Sequence, residues 1–364
     1  MKTLPTILTL DAGGTNLVFS ALKEDQEIAD TITLPTHADD LPACLDNIIR
    51  GFTNLKDQVG FFDAISFGFP GPADYPQGII GKLPNFPAFD RPVPLKHILQ
   101  KEFNVPVYIN NDANLFAAGE ARSGYLPELN RSLKELGSSR VYHNLIGITL
   151  GTGFGCGIVI DGQMMIGDNS SGAEIHNTIN KYHPAWNAEE SVSTRAIIRE
   201  YRNHCSSDPG PQTPENIYRI ACGQTVGNQE AALQSFELFG QALGASLVNI
   251  VTLVDGITVI GGGLTGAWDL FAGAMFREIN RPYESASGQT QDRLSFRLFN
   301  LEDPQEMATF AAGDPIPVRV PDTSLVLHYD RLPRSGVARS KHGVSRSTAL
   351  GAYAFALRQL NRSV

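Results

Sequence analysis

Two stretches of this chain carry the same pattern roughly 140 residues apart. Residues 6–22, TILTLDAGGTNLVFSAL, run from an apolar strand through a glycine–threonine turn into a second strand. Residues 145–167, LIGITLGTGFGCGIVIDGQMMIG, repeat that order and add a turn at Asp161-Gly162. Gly14-Thr15 and Gly151-Thr152 occupy the two tips. A repeat this far away points to a duplicated fold with a cleft between its halves. A meander of neighbouring hairpins needs no such spacing.

The length of 364 residues fits two domains, or one domain with insertions. With 42% apolar and 18% charged residues, there is ample material for a core. The net charge of −9 argues against a nucleic-acid binder, which needs a basic face, and gives no reason to expect an anionic membrane as partner. Cys44, Cys156, Cys205 and Cys222 are far apart and form no CxxC pattern, as expected of thiols in a reducing compartment. MKTLPTILTLDAGG lacks the long apolar segment of a signal peptide, and no uninterrupted run approaches the length of a membrane span. The expected setting is cytoplasmic.

Between the two glycine turns the pattern predicts a helix over 41–56, a strand over 64–71, a proline-rich loop to about 95 and a short helix before a strand at 105. The second half shows helical periodicity over 189–202, 214–222 and 228–250, then a strand over 256–263 and a helix from about 267. Residues 285–344 read as irregular, an insertion or extended hairpin, and 345–360 as a final helix opened by Ser345.

The tips carry the chemistry. Gly13-Gly14-Thr15-Asn16 and Gly151-Thr152-Gly153 present backbone N–H groups without bulky side chains, and glycine permits the positive φ of an anion-binding nest. One such turn is explained by tight turning alone; two, each after an apolar strand, favour a polyphosphate. Asp11, just before the first tip, is placed to hold Mg²⁺ through water. Gly261, Gly263 and Gly266 match GxGxxG, which leaves a dinucleotide-dependent oxidoreductase as a competing reading. That reading leaves the two tips unexplained. No GxxxxGK[ST], protein-kinase or HExxH pattern occurs.

In VPVYINNDANLFAAGEARSG, residues 105–124, a strand passes into a helix through Asn110, Asn111, Asp112 and Asn114. One Asn or Asp would suffice as a helix cap. Four polar residues within five positions leave capping and chemistry both open.

Taken together, LDAGGTN, GFPGP, LPNFPAFD, NNDANLFAAGEARSG, LGTGFGCGIVIDG, SGAEIH, VIGGGL and ALGAYAFAL resemble the ROK family of sugar kinases. They stand in family order and cover most of residues 7–270 and 345–358. The resemblance implies an α/β, two-lobed actin-like ATPase (ribonuclease H-like) fold with duplicated βββαβα-type halves. Residues 1–118 plus 345–364 form the smaller lobe on this reading, and 119–344 the larger, with its insertion near 285–344. The implied activity is transfer of the ATP γ-phosphate to the 6-hydroxyl of a hexose, most simply glucose. N-acetylhexosamine, mannose, allose and fructose are alternatives, as is a non-catalytic sugar sensor. ATP and Mg²⁺ are the implied cofactors and a homodimer the implied assembly. With Asp11 so near the start, no DNA-binding module is expected ahead of it.

Residue by residue, the resemblance makes Asp112 the catalytic base. Asn85, Asn111, Asp112, Glu174 and Glu189 become hexose ligands, with Gly71 letting backbone approach the sugar. Glu189, like Glu190 beside it, reads otherwise as part of a solvated first helical turn. Gly13, Gly14, Thr15, Asn16, Gly151, Thr152 and Gly153 would hold the phosphates, with Gly262 and Gly263 under the nucleoside. One departure matters. The family's zinc site uses a histidine three residues after the glutamate and a CxCGxxGC loop, whereas EIHNTINKYHPAWNAEE contains no cysteine and places His176 two residues after Glu174. No structural zinc is therefore expected, His183 lacks thiolate partners, and the loop must be held by other packing, with Trp186 a candidate.

Overall fold

The computed structural model describes residues 4–81, 83 and 86–362. In chain order come β1 (Ile7–Ala12), β2 (Asn16–Lys23), β3 (Gln26–Glu27), β4 (Ile32–Pro35), α1 (Leu41–Val59), β5 (Ala64–Gly68), β6 (Ala73–Asp74), β7 (Ile79–Ile80), α2 (Leu95–Phe103), β8 (Val107–Asn110), α3 (Asp112–Arg122) and α4 (Tyr125–Glu135). β9 (Leu145–Leu150), β10 (Phe154–Ile160), β11 (Gln163–Met164), α5 (Thr194–His204), α6 (Pro214–Ala221), α7 (Gln229–Val254), β12 (Ile257–Gly261) and α8 (Trp268–Ile279) come next. The chain ends with β13 (Tyr283–Glu284), β14 (Thr290–Gln291), β15 (Arg297–Asn300), α9 (Pro304–Ala312), β16 (Pro315–Arg319), β17 (Val326–Asp330), β18 (Arg334–Arg339) and α10 (Val344–Arg362).

Two compact units divide these elements. The first comprises Met1–Pro127, Cys156–Ala173 and Ser340–Val364, and the second Glu128–Gly155 and Glu174–Arg339. In the first, β3–β2–β1 form an antiparallel meander, and β1, β5 and β8 continue it in parallel. Period-two alternation gives β1 two different faces. Leu8, Leu10 and Ala12 join Phe19, Phe52 and Phe67 in the core shared with α1 and α2. Ile7 joins Ala349, Tyr353 and Ala356 of α10 on the other side. Thr9 and Asp11 share the parity of Ile7, so Asp11 falls on the face that α10 covers. At Asp161-Gly162 both residues take positive φ, 47° and 73°, as a two-residue hairpin turn between β10 and β11 requires.

Helices α3 and α10 make the closest helix crossing in this unit, through glycines. A Cβ at Gly119 would stand 1.9 Å from the Ser347 carbonyl oxygen, and one at Gly351 would stand 1.8 Å from that of Leu115. Glu120, fully buried, completes the joint: it accepts from Ser340 Oγ at 2.5 Å, Ser347 Oγ at 2.6 Å and Tyr125 N at 2.8 Å. A carboxylate this deep persists because each contact supplies a donor. The final helix begins at Val344, one residue earlier than expected, and Ser345 does not cap it. Its hydroxyl reaches Asp11 instead.

In the second unit β9, β12, β18 and β15 run parallel. α7 packs on α5, α6 and α8, with Gly240 and Gly244 admitting the α8 backbone. By length and composition α7 could cross a membrane. Its apolar residues, among them Phe236, Phe239, Leu243 and Leu247, are buried in the unit's own core. Residues 285–344 are more ordered than expected. They contain α9 and supply β15 and β18 to the sheet, with Leu298, Phe299, Val337 and Ala338 buried. The extended hairpin in the segment is β16–β17.

Candidate active site

The strand register brings Asp11, Gly68 and Asn110 of the first unit to one sheet edge. Asp11 of β1 stands beside Gly68 of β5, and Gly68 beside Asn110 of β8. All three lie at the carboxyl ends of parallel strands, where open α/β sheets bind ligands. Strands pair about 4.8 Å apart, so three neighbours span about 10 Å. Gly68 is glycine for a local reason: a Cβ there would stand 3.0 Å from Asp112 Cα and 3.3 Å from Thr348 Cγ2.

The polar run at the start of α3 divides its labour. Asn110 Oδ1 accepts from Asn111 N at 2.8 Å and Asn114 Nδ2 at 3.2 Å, and both Asn110 and Asn114 are buried. Asn111 is the cap, its Oδ1 accepting from Ala113 N at 2.9 Å and Asn114 N at 3.2 Å. Asp112 sits in the first turn with its side chain exposed. Asn111 alone caps the helix and leaves the Asp112 carboxylate exposed. The helix uses the oxygen of Asn111, so its amide nitrogen is what remains to meet a ligand hydroxyl. That nitrogen lies 3.5 Å from Tyr75 Oη, which donates to the Phe69 carbonyl at 2.8 Å. A Cβ on Gly71 would approach Tyr75 Oη to 3.1 Å and Asn111 Nδ2 to 4.0 Å, so Gly71, Tyr75 and Asn111 line one spot. Asn85 lies outside the described residues.

At the first tip, Gly13 N donates to Asn16 O at 3.0 Å. Buried Thr36 takes two carbonyls, that of Gly13 through Oγ1 at 2.6 Å and that of Thr15 through its N–H at 3.0 Å. A planar trans peptide points its N–H away from its carbonyl, so the hold on Gly13 O turns Gly14 N–H outward. Contrary to expectation, Gly13, Gly14, Gly151 and Gly153 do not adopt positive φ. What glycine supplies here is room. A Cβ at Gly13 would stand 3.0 Å from Asn16 O, while Gly14 and Gly151 face open space. Asp11 Oδ2 accepts from Ser345 Oγ at 2.5 Å. Asp11 and Ser345 line a cavity of about 350 Å³ with Thr9, Ser20, Glu27 and Arg346.

In the second unit Gly151–Gly153 links β9 to β10. Gly262, at φ 105°, passes so close that a Cβ would stand 2.1 Å from Leu150 O. This brings the Gly262-Gly263 segment against the residue preceding the tip and accounts for Gly262 by packing. Glu189 also belongs to the tip: its Oε2 accepts from Phe154 N at 3.0 Å and its Oε1 from Arg195 Nη2 at 3.0 Å.

Glu174 pairs with His176 Nδ1 at 2.8 Å. The hydrogen bond that His176 donates to the Glu174 carboxylate holds the imidazole pKa above its ordinary value, against the opposing effect of burial and with help from the charges of Glu174 and Glu189. The next loop is knotted by Asn180, which is buried. Its Nδ2 donates to Ser191 Oγ at 2.7 Å and Asn187 O at 3.2 Å, and its Oδ1 accepts from Tyr182 N at 3.0 Å and His183 N at 3.2 Å. His183 stacks on Trp186 at 4.2 Å, and Arg199 lies over the indole at 4.8 Å. Lys181 pairs with Glu278 of α8. Burial alone would raise the Glu278 carboxyl, but hydrogen bonds from Lys181 and Arg293 hold it below the usual range. Its contribution is therefore present at neutral pH and lost only as pH falls through that lowered value. Among the described residues no group of three or more His, Cys, Asp and Glu is disposed to hold a metal ion. Asn180→Ala removes four hydrogen bonds at once and is expected to make the 174–190 loop about tenfold more susceptible to limited proteolysis, a difference that the rate of first cleavage measures.

A model of the ROK family matches residues 7–293, most of the chain. The chain belongs to the ROK family. Over 98% of both chains this ROK protein is similar to a crystal structure of glucokinase from Parabacteroides distasonis, with 46% identity and a TM-score of 0.87. It shares its fold with a ROK family glucokinase from Streptomyces griseus in complex with glucose and AMPPNP, at 19% identity and a TM-score of 0.63 over 98% and 99% of the two chains. It is 26% identical over 266 residues to N-acetyl-D-glucosamine kinase from Vibrio parahaemolyticus, covering 70% of this chain and 83% of that one. The fold is that of the actin-like ATPases, and the chain is a ROK sugar kinase.

Tyr75 and Thr36 in the first unit, and Asn180 and Arg195 in the second, stand beside the predicted site residues of their own unit without a sequence signal. Each acts on a partner distant in the chain or on backbone, where no local pattern signals it. Ser345 has the sequence position of a cap, yet its hydroxyl contacts Asp11, 334 residues away.

Proposed function

We propose that this ROK sugar kinase transfers the γ-phosphoryl group of ATP to the 6-hydroxyl of a hexose, with glucose preferred. The observation that carries the reaction type is Asp112, an exposed carboxylate two residues past Asn110, whose strand stands in register with Gly68 and Asp11, and next in the chain to Asn111 of the Gly71–Tyr75–Asn111 cluster. The likeness to the Parabacteroides distasonis glucokinase supports glucose.

The residues fit magnesium nucleotide. Each tip has carbonyls tied to protein, glycines with open faces and N–H groups turned outward. Asp11 gives one oxygen to Ser345 and keeps the other for a water on the metal. When bound, the magnesium nucleotide supplies the transferable phosphoryl group and part of the charge neutralisation its transfer needs. Asp112 accepts the proton of the hexose hydroxyl as that oxygen attacks. The amide nitrogen of Asn111, together with the backbone at Gly71 and with Asn85 as the family resemblance implies, orients the sugar. Glu174, and Glu189 through lone pairs not engaged at the tip, accept from hydroxyls near the anomeric carbon. Gly13–Asn16 and Gly151–Gly153 hold phosphates, and Gly262 and Gly263 support the nucleoside. A cytoplasmic homodimer without structural zinc completes the proposal, and light scattering at twice the chain mass checks the assembly.

ADP release measured over glucose, N-acetylglucosamine, mannose, allose and fructose tests the reading, with the highest kcat/KM expected for glucose. A preference for N-acetylglucosamine would favour the second reading, which the Vibrio relative suggests. Sugar binding by calorimetry without ADP release would leave only a sensor.

The raised pKa of His176 adds a pH dependence. A group whose folded value is raised stabilises its pair below the unfolded value of about 6.5, and that stabilisation is lost as pH rises through the folded value. The hexose KM is therefore expected to increase on the alkaline side of that elevated value, and His176→Gln to flatten the profile. An unchanged profile in the variant removes His176 from the sugar site.

A further inference from the structure

All three carbonyls of the Gly151–Gly153 turn are held by protein. That of Gly151 accepts from Thr194 N at 3.0 Å, that of Thr152 from Arg195 Nη1 at 3.2 Å, and that of Gly153 from Gly151 N at 3.1 Å. Because each peptide is planar and trans, a held carbonyl also sets the direction of the N–H that shares its peptide. The hold on Gly151 O turns Thr152 N–H outward, and the hold on Thr152 O turns Gly153 N–H outward. Two successive outward N–H groups make an anion-binding concavity. The next N–H, that of Phe154, goes to Glu189 Oε2. Gly153 admits that carboxylate, since a Cβ would stand 2.9 Å from Glu189 Oε2. Arg195 thus grips one carbonyl of the turn with Nη1 and, with Nη2, the carboxylate that fixes the turn's end. Glu189 itself sits at the close of the 174–190 loop, whose backbone is tied by Ala188 N to Thr178 O at 2.9 Å.

We propose that Arg195 is a positioning residue for the phosphate-binding turn, and that its bond to Glu189 couples nucleotide affinity to hexose affinity. This rests on the turn being the nucleotide phosphate site. Because Arg195 touches carbonyl and carboxylate but lies behind the outward N–H groups, its loss misdirects donors without removing them. Coupling arises because one guanidinium is shared by the turn and the sugar loop, and such coupling is reciprocal.

The test is calorimetry with ADP, adenosine and glucose on the full chain and on Arg195→Ala, Arg195→Lys and Thr152→Asp. Arg195→Ala is expected to weaken ADP about tenfold while leaving adenosine within about twofold. The factor by which saturating glucose strengthens ADP binding is expected to fall toward one. Arg195→Lys, a point charge without the fork, should restore little of either effect. Thr152→Asp keeps the backbone and Arg195 but sets an anion at the turn. If it leaves ADP affinity intact, the turn is not the phosphate site and the functional reading itself fails. If it abolishes ADP binding while Arg195→Ala does not weaken it, the positioning role alone is overturned. Equal weakening of ADP and adenosine in Arg195→Ala reduces Arg195 to general structure, and glucose-independent ADP affinity in the unaltered protein removes the coupling.

Discussion

Asp112→Asn is expected to lower turnover by about 10²- to 10⁴-fold, the range a positioned base contributes, while hexose affinity stays within about tenfold. The substitution is nearly isosteric. Asp112 Oδ1 accepts from Ala113 N at 2.9 Å, a bond that an amide oxygen also makes. The cap on α3 belongs to Asn111 and survives. What disappears is the capacity to take a proton, so kcat falls and hexose binding does not fall with it. Steady-state kinetics with calorimetry on the same preparation separates the two, and undiminished turnover would remove Asp112 from the mechanism.

Gly351→Ala is expected to destabilise the protein by about 3 kcal/mol, at the upper end of what overpacking costs. The added carbon would stand 1.8 Å from the Leu115 carbonyl oxygen, which is backbone in the middle of α3 and has no rotamer to change. The two helices must separate. That separation also disturbs function, because α3 carries Asp112 and α10 carries Ser345, which bonds Asp11, and Thr348, which packs near Gly68. Urea unfolding measures the loss, and a variant as stable as the parent would mean that the crossing is looser than described.

Much of this architecture is legible in the sequence because its strands are short apolar runs ending at glycine or a polar residue. The start of α3, the turn at Asp161-Gly162 and the course of α7 arise from capping, turn chemistry and periodicity. Residues 285–344 defeated pattern reading for a local reason. β15 and β18 begin with arginine and are only 4 and 6 residues long. α9 does carry a start signal, Asp303 as cap followed by Pro304, but it is hidden among other prolines. In α4, Pro127 in the first turn masks the periodicity. The tips illustrate a deeper limit. Sequence locates Gly13 and Gly151, yet the groups that aim their N–H donors, Thr36 and Arg195, are 23 and 43 residues from the atoms they hold. Nothing in the local spacing of either residue announces such a contact. Nor could sequence show that Asn111 lends its oxygen to the helix and turns its amide nitrogen toward Tyr75 Oη.

The most direct check on the central claim is phosphorus NMR of a mixture of ATP, Mg²⁺, glucose and enzyme. The account predicts that a hexose 6-phosphate ester resonance, split by the two protons at carbon 6, grows in step with ADP. Inorganic phosphate alone, or an ester at another hydroxyl, would contradict it.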